Sequence, residues 1–172
     1  MATTTLYPDG DGTNSGTVNS VPAGPPYYTT IDEGTSSPND SDYILMTGTV
    51  TVAVTLTDLP TDAVTVTNVT IKIRCNNPSK ADTVVSGCRL FKSDQTTALT
   101  ALASITATTT PTTYSLTPTI TGDTDKTSWD GARLLVYTTG TANAAAYLAA
   151  QVDVTYSTSA GVTTSTSFLI GV

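Results

Sequence analysis

Histidine is absent from all 172 residues, and glutamate occurs once, as Glu33. Without histidine the commonest general base and the commonest metal-binding side chain are both missing. No Gly-x-Ser-x-Gly elbow, phosphate-binding Walker loop or Cys-x-x-Cys pair takes its place. Two-carboxylate glycosidase chemistry would need only acids, and Asp32-Glu33 or Asp40 with Asp42 supply them, but in this setting they read as turn-forming, solvated groups. The expectation is a protein that is not an enzyme and carries no cofactor. Long apolar runs are lacking too: none approaches the roughly 20 residues of a membrane-spanning helix. The opening Met1-Ala2-Thr3-Thr4-Thr5-Leu6 has neither the basic nor the apolar segment of a secretory signal, so synthesis and release in the cytoplasm are expected.

Charge is sparse, at 12 % of residues, and one-sided: seven Lys plus Arg stand against fourteen Asp plus Glu, for a net charge of −7 and a pI near 4.1. Such a chain repels nucleic acid and anionic membranes, so neither is expected as a partner. Only two cysteines occur, Cys75 and Cys88. A hairpin centred near Lys80 would set Cys75 against about Val85 and leave Cys88 some three residues away, which points to buried thiols rather than a bridge.

What the chain has in abundance is threonine, roughly a quarter of all positions, together with valine and eight tyrosines. β-Branched side chains lose rotamer freedom on a helix and stand freely on a strand. From Tyr43 onward the apolar residues alternate: Val50, Val52, Val54 and Leu56 share one face and threonine fills the other. The phase slips near Asn68, which predicts a bulge. Further strands are expected at 84–91, 98–106, 112–119, 132–138, 145–156 and 166–170. Residues 142–150 are alanine-rich and helix-prone, yet the period-two run Gln151-Val152-Asp153-Val154-Thr155-Tyr156 favours a strand there.

Three segments follow. Residues 1–40, rich in Gly, Pro, Asp and Ser, read as an arm or irregular loop packing on the core. Residues 41–157 read as an antiparallel all-β sandwich or jelly roll of seven to nine strands. Residues 158–172 read as a linker and a short strand. Asp9-Gly10-Asp11-Gly12 offers alternating oxygens, a weak calcium candidate through Asp9 and Asp11 that lacks the acidic twelfth position of an EF-hand. Trp129, beside Asp130-Gly131, is a candidate ring for stacking on a sugar, against the plainer role of a core anchor.

The order of motifs resembles a family of β-sandwich structural proteins of tailed phages and prophages. The likeness is carried by Leu6-Tyr7-Pro8-Asp9-Gly10-Asp11, Ile31-Asp32-Glu33, Pro38-Asn39-Asp40-Ser41-Asp42-Tyr43-Ile44, Val69-Thr70-Ile71-Lys72-Ile73-Arg74, Thr113-Tyr114-Ser115-Leu116-Thr117 and Ala132-Arg133-Leu134-Leu135-Val136. It covers roughly residues 6–156. Gly16-Thr17-Val18 replaces the family's Gly-Trp-Thr step, and the tail after Tyr156 is extra.

The resemblance implies a component of the virion surface, synthesised in the host cytoplasm. The leading expectation is a capsid decoration or cement protein that binds the major capsid protein or other virion proteins and stabilises the head, as a homo-oligomer with a trimer among the options. Its contacts would come from Leu6, Tyr7, Tyr27 and Tyr28 in the arm and Phe168, Leu169 and Ile170 in the tail. The alternative is a carbohydrate-binding module on a head or tail appendage that mediates host attachment. A third option is a tail-tube or filament subunit completed by the C-terminal strand.

Overall fold

The computed structural model of the chain describes residues 1–21, 23–24, 26–78, 85–139 and 144–159. The tail candidates Phe168, Leu169 and Ile170 lie outside the described residues, as does the whole of the expected strand 166–170. Eleven strands are described: β1 (Ala2–Leu6), β2 (Pro8–Asp11), β3 (Val18–Val21), β4 (Tyr43–Thr47), β5 (Val50–Leu56), β6 (Ala63–Asn76), β7 (Val85–Phe91), β8 (Ala103–Thr106), β9 (Thr112–Leu116), β10 (Arg133–Thr139) and β11 (Ala144–Thr158). A 3-10 turn at Tyr28–Thr30 and one α-helical turn, α1 (Lys126–Trp129), complete the regular structure.

The strands form two antiparallel sheets, one in the order β3-β4-β11-β6-β9 and one in the order β2-β5-β10-β7-β8. Set aside β1 to β3, and the remaining eight strands run first-last-third-sixth in one sheet and second-seventh-fourth-fifth in the other. That order is the jelly roll, two interlocked Greek keys. The alternation read from the sequence builds it directly. Val50, Val52, Val54 and Leu56 are buried in β5, as are Val69, Ile71, Ile73 and Cys75 in β6 and Leu134 and Val136 in β10. The two inner faces meet in one core, and burial of these side chains drives the sheets together at about 25 cal/mol per Å² of apolar surface. The expected slip at Asn68 is present: β11 pairs Thr155 with Asn68 and Tyr156 with Val66, so Thr67 is the extra residue.

Two expectations need correction. The 71–91 region is not a hairpin. β6 lies in the first sheet and β7 in the second, so Cys75 neighbours Tyr147 and Thr112 while Cys88 neighbours Val136 and Ala103. Both thiols are buried and free, and burial pushes each up to about 12. The second correction concerns Leu6, in the segment 1–40 that reads from the sequence as an arm or irregular loop packing on the core; that segment supplies three strands. β1 pairs with β11, β2 with β5, and β3 with β4. Leu6, expected at a partner surface, is 1 % exposed.

This segment enters the first sheet along β11. β6 runs along one side of β11 for almost its whole length, while the other side is shared end to end: β4 pairs with Ala144 to Tyr147 and β1 with Val152 to Tyr156. Residues 31–35 fill the interval. The Ala150 N–H donates to the Ile31 carbonyl (2.9 Å), and the Thr35 N–H and hydroxyl both donate to Gln151 Oε1 (2.8 and 3.0 Å). Gly34 makes the approach, at φ +73°, where a Cβ would meet Tyr7 Cε1 at 2.8 Å. Gln151 is buried, so its replacement by alanine leaves the Thr35 N–H without its acceptor. A loss of about 1–3 kcal/mol is expected, read as a lower urea midpoint at unchanged slope.

Candidate functional site: an open face on the second sheet

Antiparallel register fixes which side chains stand together on the outside of the second sheet. Arg133 of β10 lies between Thr55 of β5 and Phe91 of β7; Leu135 lies between Ala53 and Arg89; Tyr137 lies between Thr51 and Gly87. Gly87 is paired in turn with Ser104 of β8. The middle of this face is therefore apolar and aromatic. Leu102, 53 % exposed, stands at its rim. Leu102, Arg89, Phe91, Leu135 and Tyr137, with Thr49, Thr51, Thr138 and Thr139, line a shallow basin of about 200 Å³.

Tyr137 does not stand off the sheet. Its Cε1 and Oη occupy the space that a side chain at Gly87 would fill, since a Cβ there would lie 2.5 Å from each. The Oη reaches across β7 to within 3.4 Å of Ser104 Oγ. A ring laid along the sheet in this way rests on backbone below and faces outward above. Beside it the Arg89 guanidinium sits over the Phe91 ring at 5.4 Å, within cation–π range, and its Nε donates to the Thr100 carbonyl (2.7 Å). Arg133 Nη1 donates to the Asp11 carbonyl and to Thr55 Oγ1.

The residues singled out from the sequence fall elsewhere. Trp129, considered for sugar stacking, is fully buried, and its indole Nε1 donates to the Asp123 carbonyl at 2.8 Å. The α1 turn folds the ring inward, so it anchors the core and has no face to offer. Tyr7 is 39 % exposed, while Tyr27 and Tyr28 are half-buried against the core. The weak calcium candidate is also corrected. Asp11 accepts from the Tyr27 and Tyr28 N–H groups, one with each carboxylate oxygen (2.9 and 2.8 Å), and so holds the 3-10 turn. No cluster of three or more metal-binding side chains occurs among the described residues.

A second cavity, of about 270 Å³, lies outside the first sheet between Asp40, Tyr43, Leu45, Asn76, Ala146 and Leu148. Two of its polar side chains are already engaged. Arg74 donates to both Asp40 oxygens (2.6 Å each) and Asn76 Nδ2 to the Thr109 carbonyl (3.3 Å). It resembles a seam between the 34–43 loop and the sheet more than a place of binding.

The acids set a pH response. The Arg74 hydrogen bonds hold Asp40 below the usual carboxylate range, and the Lys92 pair does the same for Asp123. Burial pushes Asp153 up, but Lys72, Thr5 and Gln151 together outweigh it and hold it low. Asp94, accepting from the Thr97 and Thr96 N–H groups, falls to about 2. Stability from these groups is complete above their unfolded value of about 3.9 and is lost as pH falls through their folded values. Asp9 and Glu33, raised first by burial, act in the opposite sense. The urea midpoint should therefore peak near pH ~5 and fall between pH ~4 and ~2; a rise over that last interval would contradict the assignment.

Strand 132–138 was legible, and the burial of Leu134 and Val136 implies that Arg133, Leu135 and Tyr137 point outward. An outer face of β10 bearing Leu and Tyr was the available signal. Arg89 and Phe91 join them only through the β7–β10 pairing.

No family model matches the chain, and no curated protein matches it. Among solved structures it is similar to an arabinose-bound α-L-arabinofuranosidase (13 % identity, TM-score 0.45, 70 % of this chain and 21 % of that one). It is also similar to the enzymatically active domain of bacteriophage CBA120 tailspike protein 4 (15 %, TM-score 0.47, 89 % and 19 %). A third similarity is to a family 4 carbohydrate-binding module (12 %, TM-score 0.44, 73 % and 90 %). The chain spans about a fifth of the first two proteins, and the likeness in each case is one of β-architecture.

Proposed function

We propose that the protein is a non-catalytic binding module of a virion appendage, and that it holds a saccharide on the open face of its second sheet. The observation that carries this is the reclining Tyr137 ring, backed by Gly87 and flanked by Leu135, Phe91 and threonine hydroxyls. The C–H face of a pyranose packs on such a ring, while its hydroxyls bond to a polar rim. The virion setting comes from the resemblance of the sequence motifs. A capsid-decoration role would draw its N-terminal contacts from Leu6, Tyr7, Tyr27 and Tyr28, and of these Leu6 is buried while Tyr27 and Tyr28 pack on the core.

A glycan array followed by calorimetry on the hits tests the proposal. Saturable binding by the native protein, with at least about tenfold loss in Tyr137→Ala and an unchanged unfolding midpoint, is the expected result. Native protein that binds no glycan overturns it.

A further inference from the structure

The open face carries a cation that the rest of the protein leaves unmatched. Lys72, Arg74, Lys92 and Lys126 each hold a carboxylate, at 2.7, 2.6, 2.5 and 2.5 Å. Arg89 holds none. Its Nε is fixed by the Thr100 carbonyl and its plane is steadied over Phe91, so its two terminal nitrogens point as a preset fork with no hydrogen bond among the described residues. The chain has fourteen acids to seven bases, yet no carboxylate pairs with Arg89 among the described residues; Asp9 of β2, in the same sheet, interacts with Arg133. None of the residues that register places on the outer face of β5, β10, β7 and β8 is Asp or Glu.

We infer that the saccharide bound on this face is an acidic one, and that its carboxylate is held by the terminal nitrogens of Arg89. Guanidinium matches a carboxylate with two parallel N–H···O bonds, and the fork loses little entropy on binding because it is already held. Leu135 and the Tyr137 and Phe91 rings lower the local dielectric around the pair, which strengthens it. The net charge of −7 repels acidic ligands from the protein at large, so Arg89 also fixes the position of binding. This rests on the saccharide reading above and specifies its ligand.

The probes are oligogalacturonate against its methyl ester and sialyllactose against lactose, by calorimetry at low salt. At least one acidic member should bind about tenfold or more tighter than its neutral counterpart, with affinity falling as salt rises. Arg89→Gln should remove the preference, Arg89→Lys should keep part of it, and Lys72→Gln, on the opposite sheet, should leave it intact. Thermal unfolding of each variant verifies folding. If acid and neutral forms bind alike, or if the preference survives Arg89→Gln, the acidic ligand is wrong while the saccharide reading stands. If neither form binds and the glycan array is also blank, both fall together.

Discussion

Replacement of Trp129 by alanine should lower the free energy of unfolding by about 3–5 kcal/mol, in the range of buried large-to-small aromatic substitutions. The ring is the largest wholly buried side chain. Its removal costs the transfer free energy of the indole, adds a cavity whose lining loses contacts, and leaves the Asp123 carbonyl without its donor. The same crossover is tied to the sheet by Val66 N–H donating to the Thr124 carbonyl (2.7 Å) and by the bridge between Thr65 and Asp125, so loosening the ring frees the end of β6 as well. Trp129→Phe, which keeps much of the volume, should lose clearly less. Because Trp129 is the only tryptophan, unfolding of the variants must be followed by far-ultraviolet circular dichroism rather than indole fluorescence. Saccharide binding should survive Trp129→Phe, in contrast to its loss in Tyr137→Ala.

Gly87→Ala should be costly out of proportion to one methyl group. A Cβ at this position would lie 2.3 Å from the Ala103 carbonyl oxygen, which is backbone of the paired strand β8, and 2.5 Å from Tyr137 Cε1 and Oη. The tyrosine can swing away, but the carbonyl moves only if β8 moves. A destabilisation of about 1–3 kcal/mol is expected from overpacking, together with loss of glycan binding because the ring is forced off the sheet. Denaturant midpoints and calorimetry on the same preparation check both halves. A variant that unfolds normally and binds normally would show that the ring does not rest where Gly87 allows it.

The contrast between these two residues shows how much could be read from the chain. Trp129 stands out in the sequence because it is unique, and it invites a surface role; the α1 turn and the crossover around it put it in the core. Gly87 is unremarkable in sequence, set in a short run between Val85 and Phe91. Its importance comes from Tyr137, fifty positions further on, which the register of β7 with β10 lays across it. Local alternation could tell that Tyr137 points away from Val136, and no more than that.

The corrected hairpin follows the same logic. Residues 71–75 and 85–91 alternate cleanly and are joined by a connection of hairpin length, so pairing them is the local choice. In the jelly roll that connection crosses from one sheet to the other, and each strand finds partners far away: β6 pairs with β9 and β11, β7 with β8 and β10. The N-terminal segment was opaque for a different reason. β1 to β3 are four or five residues long and rich in Thr, Asp, Gly and Asn, too short to show a period, and they become strands because the edges of β11, β5 and β4 await hydrogen-bond partners.

The sequence by itself determined that this protein is all-β, that β5, β6 and β10 bury alternate Val, Ile and Leu, that β5 shows threonine on its other face, that a bulge falls beside Asn68, and that no histidine chemistry is available. These are consequences of local dihedral preference and of a side-chain period of two, which each strand carries alone. The tertiary structure decided which sheet each strand joins, that residues 1–40 belong to the sandwich, that Trp129 is core, and that Tyr137, Phe91 and Arg89 share one open face. Those depend on pairing between distant segments, whose register is set by the fit of the whole core and leaves no mark within any one strand.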